Sequence, residues 1–136
     1  MARILGLDYG VKRTGISVTD PLQIIVNPLD VVETINLIDF LFEYIEKEDV
    51  EEIVIGEPTH RDGREVYFEK EIKNLIKKIN TKYPDINIVR QDESFTSSEA
   101  KDLLIQMNIK KKKRRDKSLL DKISSVLILQ RYLKHI

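Results

Sequence analysis

The most constraining feature of the sequence is a pair of short apolar runs near its start, the first of which ends in an acid. Residues 4–10 read ILGLDYG and residues 14–19 read TGISVT. Apolar alternation on either side of a Gly-containing turn is typical of two adjacent antiparallel strands. Aspartate has poor strand propensity and is costly to bury without a partner. We therefore place the chemistry at Asp8, where the first strand ends.

Strand alternation assigns Asp8 to a defined side of the sheet. It places Ile4, Gly6 and Asp8 on one face, and the missing side chain of Gly6 leaves room beside the acid. A metal ion or a phosphate-bearing ligand fits that room. The alternative is structural: Asp8 caps the turn that leads to Lys12, and the glycines serve backbone conformation. This stretch alone favours neither interpretation.

The totals limit the class of protein. The chain has 136 residues, which we assign to a single domain, residues 1–136. The 23 basic and 23 acidic residues cancel, and there is no cysteine, so any metal is bound by oxygen or imidazole. We find no leader pattern and no apolar run as long as a membrane span. We therefore expect a cytoplasmic protein that does not enter a membrane; its oligomeric state is left open.

The remaining segments alternate between strand and helix patterns. Residues 23–32 are predicted to form a third strand, which Pro28 assigns to the sheet edge. Thr34 is predicted to cap a helix with Ile35 on its buried side. The apolar run of residues 52–56 is predicted to be an interior strand parallel to the first. This order predicts an α/β fold with a mixed five-stranded sheet, three antiparallel strands followed by parallel ones, and helices on both faces.

Two further acidic positions lie where such a sheet binds ligands. Asp92 and Glu93 follow the last predicted strand and precede a helix, and ligands bind at the carboxyl ends of strands in open α/β sheets. Asp121 stands in the first turn of the last helix, where the helix dipole alone explains a negative charge. The small Ser124 and Ser125 let this helix approach the sheet and carry Asp121 toward the end of the first strand.

These acids predict a metal site. Asp8 and Glu93 share one sheet edge in the predicted fold, and the last helix brings Asp121 to it. Carboxylates that converge without a basic partner repel one another unless a divalent cation neutralises them. Hard oxygen ligands without cysteine favour Mg²⁺ or Mn²⁺.

Positive charge is concentrated in one segment. Seven of the eight residues 110–117 are cationic, and the segment has no apolar periodicity. A solvated charge run is one interpretation. We favour a contact with a phosphate backbone, because the rest of the chain is net negative and a concentrated cluster of cations attracts anions despite the neutral total.

Taken together, the motifs resemble the YqgF family, also called RuvX or Holliday-junction-resolvase-like. The resemblance covers essentially the whole chain and depends on four segments in the right order. These are Leu5-Gly6-Leu7-Asp8-Tyr9-Gly10 with Lys12, Arg13 and Gly15; Val54-Ile55-Gly56 with Pro58 and Asp62-Gly63; Asp92-Glu93 with Phe95-Thr96 and Glu99-Ala100; and Asp121 with Leu127-Ile128-Leu129-Gln130.

The resemblance implies a ribonuclease-H-like fold and a metal-dependent hydrolase that processes the 5′ end of precursor 16S ribosomal RNA during ribosome biogenesis. It implies that Asp8, Glu93 and Asp121 form a catalytic triad that also binds the metal. The cations implied to hold the nucleic-acid backbone are Lys12, Arg13, Lys110, Lys111, Lys112, Lys113, Arg114 and Arg115.

The sequence departs from the family pattern near the predicted acids, including Ser124-Ser125 where small alanines normally follow the helix aspartate. Ser94 stands where arginine is usual, which removes a candidate phosphate ligand. Glu57 stands where leucine is common, so Glu57 and Asp92 are alternatives ranked behind Glu93 as metal ligands. Two other functions stay open: a Holliday-junction-type resolvase of branched DNA, and a non-catalytic nucleic-acid-binding module that acts on ribosome-assembly intermediates.

Overall fold

The structure is a computed structural model that describes the backbone of residues 2–57, 63–92 and 117–134, and the side chains of residues 2–56, 69–91 and 122–134. Five strands and three α-helices lie in this part of the chain. The strands are β1 (Arg3–Asp8), β2 (Arg13–Thr19), β3 (Val26–Glu33), β4 (Val50–Glu57) and β5 (Asn87–Asp92). The helices are α1 (Leu37–Lys47), α2 (Gly63–Lys82) and α3 (Lys117–Tyr132), and a 3₁₀ turn, Thr34–Asn36, precedes α1.

The five strands form one mixed sheet in the order β3-β2-β1-β4-β5. β1 pairs antiparallel with β2, and β2 with β3; β1 pairs parallel with β4, and β4 with β5. The predicted sheet is therefore confirmed. β3 is an edge strand, as Pro28 predicted, and the β2–β3 register shifts between Ile16 and Ser17, next to the partner of the proline. A residue that cannot donate a ladder hydrogen bond is tolerated at an edge and near a bulge.

The larger core lies between the sheet and helices α1 and α2. Leu5 and Leu7 of β1 and Ile53 and Ile55 of β4 point to this side and are fully buried. β4 is also covered on its other face, which explains why its sequence is a nearly continuous apolar run. The helix residues buried against these strands are Leu37, Leu41, Ile72, Leu75 and Ile79.

Helix α3 covers the opposite side of the sheet, where it approaches the backbone closely. The Ser17 hydroxyl donates a hydrogen bond of 2.7 Å to the Ser125 carbonyl oxygen. A Cβ atom added to Gly6 would lie 2.5 Å from Leu129 Cγ and 2.6 Å from Ser17 Oγ. Small residues thus allow the close contact, as predicted for Ser125. The room expected beside Gly6 for a ligand is instead filled by Leu129, so that expectation was wrong.

Two predictions for the start of the first helix were also wrong. Thr34 does not cap α1, because its hydroxyl donates to the Gly10 carbonyl oxygen of the β1–β2 loop. Ile35, expected on the buried side, is 85% exposed because residues 34–36 form a 3₁₀ turn in which the helical spacing does not hold. The helix predicted after Asp92 and Glu93 and the basic segment up to residue 116 lie outside the described residues.

Within the described ranges, no helix combines the length and the apolar character needed to cross a membrane.

We expect the substitution Gly6→Ala to lower the free energy of unfolding by about 1–3 kcal/mol, the usual penalty for overpacking a filled core. The added methyl group must displace Leu129 or Ser17. Urea denaturation followed by circular dichroism measures the change.

The control is Ser124→Ala. Ser124 is on α3, like Leu129, but is only half-buried, so its substitution should change the free energy of unfolding by less than about 0.5 kcal/mol. In a Leu129→Ala background the added methyl group has space, so the cost of Gly6→Ala should shrink. An equal cost in both backgrounds would contradict the close contact between Gly6 and Leu129.

Candidate active site

Asp8 ends β1, the middle strand of the sheet. It is half-buried, and its antiparallel partner on β2 is Gly15. The glycine puts no side chain beside the acid on that strand. Ile4 and Gly6 lie on the same face of β1 as Asp8 and contact α3 residues. Asp8 therefore belongs to the α3 side of the sheet.

The three parallel strands end at the same edge of the sheet. Leu7 of β1 pairs with Ile55 of β4, and Glu57, two residues farther on, pairs with Asp92 of β5. Adjacent strands are about 4.8 Å apart, so the ends of β1 and β5 are separated by roughly 10 Å. The carboxyl ends of β1, β4 and β5 therefore bring three acidic positions, 8, 57 and 92, to one edge.

Strand alternation divides these acidic positions between the two sides of the sheet. On β5, Val89 packs in the cluster under α3, whereas Ile88 packs in the cluster under α1 and α2. Counting along β5 in steps of two assigns position Asp92 to the α1–α2 side. The same count along β4 assigns position Glu57 to that side. Asp8 is on the α3 side, so neither alternative acid shares its side of the sheet.

The course of α3 determines which end of the sheet its first turns approach. Ser125 is bonded to Ser17 of β2, the residue paired with Gly6. At the other end of α3, the Tyr132 hydroxyl donates to the Glu52 carboxylate near the start of β4, and this bond raises the pKa of Tyr132 to about 12. The helix thus runs from the carboxyl ends of the parallel strands toward their amino ends. The Asp121 backbone, one turn and about 6 Å before Ser125, lies toward the former.

The structure describes only part of the predicted triad. Asp8 is described with its side chain, Asp121 is described as a backbone position, and Glu93 lies one residue beyond the described end of β5. In the described part of the chain, no group of three or more Asp, Glu or His side chains is placed to hold a metal ion. The convergence of Asp8, Glu93 and Asp121 stays a prediction.

Thr34, which was predicted to cap a helix, holds the loop after Asp8. The Thr34 hydroxyl donates to the Gly10 carbonyl oxygen at 2.6 Å, and the Thr34 amide donates to the Lys12 carbonyl oxygen at 2.9 Å. Because the Thr34 proton is used for Gly10, the Thr14 hydroxyl must be the donor in its 3.0 Å bond to Thr34. No local pattern marks Thr34 as a loop anchor, since its partners lie twenty or more residues earlier.

The loop that Thr34 anchors presents the first of the predicted phosphate ligands. Gly10 permits its tight turn, because a Cβ there would lie 2.4 Å from the Arg13 carbonyl oxygen. Lys12 is exposed and Arg13 is half-buried at the start of β2. Lys12, on this loop, and Arg13, the first residue of β2, therefore stand within five residues of Asp8. The other predicted cations, residues 110–115, lie outside the described residues.

An ion pair fixes β5 close to its end. Arg90 donates two hydrogen bonds to the Glu69 carboxylate of α2, at 2.9 Å and 3.0 Å. The Arg90 guanidinium lowers the pKa of Glu69 below its ordinary value of 4.5. The pair joins α2 to the strand that leads to Asp92.

Comparison with known proteins gives the family of the chain's relatives. The family model described as RuvX, Holliday junction resolvase, matches residues 2–135. A protein of Christiangramia forsetii is 47% identical over 133 residues, covering 98% of both chains. A protein of Phocaeicola vulgatus is 45% identical over 134 residues, covering 98% of this chain and 96% of the relative. Both relatives carry the name of a proposed pre-16S rRNA nuclease.

Solved structures show which fold the chain shares. The fowlpox virus resolvase in complex with Holliday junction DNA matches with a TM-score of 0.63 and 13% identity, covering 98% of this chain and 97% of that one. Thermus thermophilus RuvC in complex with a Holliday junction substrate matches with a TM-score of 0.62 and 15% identity, covering 98% and 96%. At these identities the likeness concerns the fold alone. It confirms the predicted ribonuclease-H-like fold.

Thr34→Val should loosen the loop after Asp8. We expect the free energy of unfolding to fall by about 1–2 kcal/mol, because the Gly10 carbonyl and the Thr14 hydroxyl lose their partner. The backbone amide at position 34 donates to the Lys12 carbonyl oxygen, and its hydrogen exchange should also become faster.

The matched control is Thr81→Val, in which an exposed hydroxyl bonded to the Lys77 carbonyl oxygen within α2 is lost. This control should leave the exchange rate at Thr34 unchanged. Wild-type exchange in Thr34→Val would show that Thr34 does not anchor the loop.

Glu69→Gln should destabilise the protein in a pH-dependent way. Because the pKa of Glu69 is lowered in the folded state, the ion pair stabilises the fold at neutral pH and stops doing so as the pH falls through that lowered pKa. The partial exposure of the pair limits its contribution to about 0.5–1 kcal/mol. Urea denaturation at a series of pH values should show a difference from wild type that disappears in acid.

Glu71→Gln, on the same helix, serves as the control for charge removal. A Glu69→Gln difference that persists undiminished at acidic pH would rule out the ion pair as its cause.

Proposed function

This chain belongs to the RuvX family of Holliday junction resolvases, and from that membership and the acidic sheet edge we propose that it is a divalent-metal-dependent nuclease that processes the 5′ end of precursor 16S ribosomal RNA. Membership makes the protein a hydrolase of the nuclease type with a nucleic acid as substrate. The observation that carries the proposal is the position of Asp8. It ends the middle strand, half-buried, opposite a glycine, in a fold shared with two resolvases.

RNA is the substrate that the relatives favour. The proteins at 43–47% identity over nearly the full chain carry an rRNA nuclease name, whereas the DNA resolvases are only 13–15% identical. Processing of branched DNA is the second candidate, favoured by the description of the matching family.

We propose Asp8, Glu93 and Asp121 as the catalytic acids. Glu93 directly follows Asp92, the last residue of β5. The strand count assigns positions 57 and 92 to the side of the sheet away from Asp8, which supports ranking Glu57 and Asp92 behind Glu93. The course of α3 supports Asp121, whose backbone is one turn closer to this edge than Ser125.

Such an acid set suits Mg²⁺ or Mn²⁺, because all the donors are carboxylate oxygens. The ends of β1 and β5 are roughly 10 Å apart, and the carboxylates of Asp8, Glu93 and Asp121 would hold the metal at this edge of the sheet. When bound, the metal supplies an activated water and stabilises the leaving oxygen of an in-line displacement.

The chain itself holds and positions the substrate. Asp8 is presented by a strand paired on both sides, so its backbone is fixed before the substrate binds. Lys12 and Arg13 follow on the loop anchored by Thr34, where they position a phosphate of the cleaved strand. Contacts of this kind read phosphate and shape and carry little sequence information. The basic residues 110–115 are proposed to extend this phosphate contact.

The test is cleavage of an RNA that carries the 5′ precursor segment of 16S rRNA, with Mg²⁺ or Mn²⁺. We expect Asp8→Asn to reduce the rate by at least about 10²-fold, the scale expected when charge stabilisation of a transition state is lost. Asp85 is an exposed acid just before β5, near the amino ends of the parallel strands and therefore away from Asp8. The Asp85→Asn variant should cleave the RNA at the wild-type rate. Equal residual cleavage by wild type and Asp8→Asn would contradict a metal-dependent nuclease.

Two additions to this experiment separate the alternatives. Among Glu93→Gln, Glu57→Gln and Asp92→Asn, only the first should match Asp8→Asn. A Holliday junction tested in parallel decides between RNA and DNA. A non-catalytic binding module would instead show nucleic-acid binding, no cleavage, and no divalent-ion binding that Asp121→Asn abolishes.

A further inference from the structure

An open groove of about 710 Å³ lies between α1 and α2 on the side of the sheet away from α3. Tyr9 and Thr34 line its end nearest the end of β1, and Phe42 and Lys82 line the other end. Its volume is in the range of ligand-binding clefts.

The wall formed by α1 and the turn before it is apolar and exposed. Ile35 is 85% exposed although it is an isoleucine, and Ile38 and Phe42 are half-buried. All three line the groove. A side chain this exposed contributes little hydrophobic burial to the stability of the fold. Beside an aromatic residue, it provides a surface on which flat, weakly polar groups can pack.

The wall formed by α2 is cationic. Lys77, Lys78 and Lys82 line the groove, and Glu71 is the one acidic residue among its described lining residues. Lys82 Nζ lies 4.6 Å from the centre of the Phe42 ring, which holds a positive charge against the aromatic surface. The groove thus offers a row of positive charge along one wall and apolar surface along the other.

The groove begins where the proposed active site ends. Tyr9 directly follows Asp8, and Thr34 both lines the groove and anchors the loop that carries Lys12. Because adjacent strand residues point to opposite sides, Asp8 belongs to the α3 side and Tyr9 packs on the α1–α2 side. A strand of nucleic acid that leaves the proposed active site and passes over the carboxyl end of β1 would therefore enter the groove.

We propose that this groove binds a single-stranded segment of the RNA that flanks the cleaved bond, an inference that rests on the proposed nuclease function. Single strands are bound where a cationic track follows the backbone and apolar or aromatic surfaces receive the bases. The groove has a volume of only about 710 Å³, so we assign it a single strand and not a duplex. The continuity with Asp8 favours RNA over an acidic peptide, which would match the charge equally well.

The test compares two RNA duplexes that differ only by a single-stranded extension of about eight nucleotides. Binding is measured by fluorescence anisotropy in the presence of a chelator, so that the readout is independent of cleavage. Wild type should bind the extended duplex at least about five-fold more tightly than the blunt one, which corresponds to the stacking of one base.

Matched variants assign this preference to the groove. Lys77→Glu combined with Lys78→Glu should abolish it, whereas Lys70→Glu combined with Lys73→Glu makes the same charge change on exposed residues of the same helix outside the groove and should keep most of it. Ile35→Ser should weaken the preference.

Ile24→Ser, at an isoleucine 61% exposed in the β2–β3 connection, is the control for Ile35→Ser and should have no effect. Thermal denaturation of all variants confirms that they are folded.

The outcomes separate this inference from the proposed function. No preference for the extension, or an equal loss in the Lys77/Lys78 and Lys70/Lys73 variants, overturns the groove assignment even if Asp8-dependent cleavage is observed. A preference that depends on Lys77 and Lys78 in a protein that does not cleave RNA supports the groove and overturns the nuclease function. Competition of an acidic peptide with blunt and extended RNA alike would identify the groove as a protein-binding surface and overturn the proposal.

Discussion

The arrangement of the molecule depends on one close contact, that of helix α3 with the backbone of β1 and β2. Gly6 leaves no atom between the sheet and Leu129, and Ser17 uses its hydroxyl to bind the Ser125 carbonyl of the helix. A contact this short fixes the height of α3 above the sheet. Since the helix runs from the carboxyl ends of the parallel strands to their amino ends, it also fixes how its first turns, including Asp121, approach the edge at which Asp8 stands.

The second constraint is the anchoring of the β1–β2 loop by Thr34. Loops beside active sites lose rigidity unless side chains satisfy their backbone groups. Here one threonine bonds to the carbonyl oxygens of Gly10 and Lys12 and accepts a bond from Thr14. The connection from β3 to α1 thus holds the loop that leads from Asp8 to Arg13. In the proposed function, a phosphate bound at this loop would contact a surface that is already ordered before binding, so binding would not have to order it.

The sequence predicted the features that depend on local periodicity and missed those that depend on distant contacts. Alternation located Asp8 at a strand end, and the lack of a backbone donor at Pro28 located β3 at the sheet edge. The sequence could not predict that Leu129 fills the space at Gly6, because this contact joins residues far apart in the chain. The Ser17–Ser125 bond beside it likewise joins residues 108 positions apart. Thr34 carries a good capping side chain, yet a partner in another loop competes for it. The catalytic roles of Asp8, Glu93 and Asp121 remain predictions.

The two sides of the sheet carry different tasks in the proposed function, and β1 links them. Residues of one parity on β1 contact α3 and end at Asp8, and residues of the other parity contact α1 and α2 and end with Tyr9. Asp8, the last residue of β1, and Tyr9, which directly follows the strand, therefore belong to the proposed active site and to the proposed binding groove. Because a slip of the β1 register by one residue would exchange the two sides, the buried apolar residues of β1 that fix the register also fix which side holds the acid and which side holds the RNA.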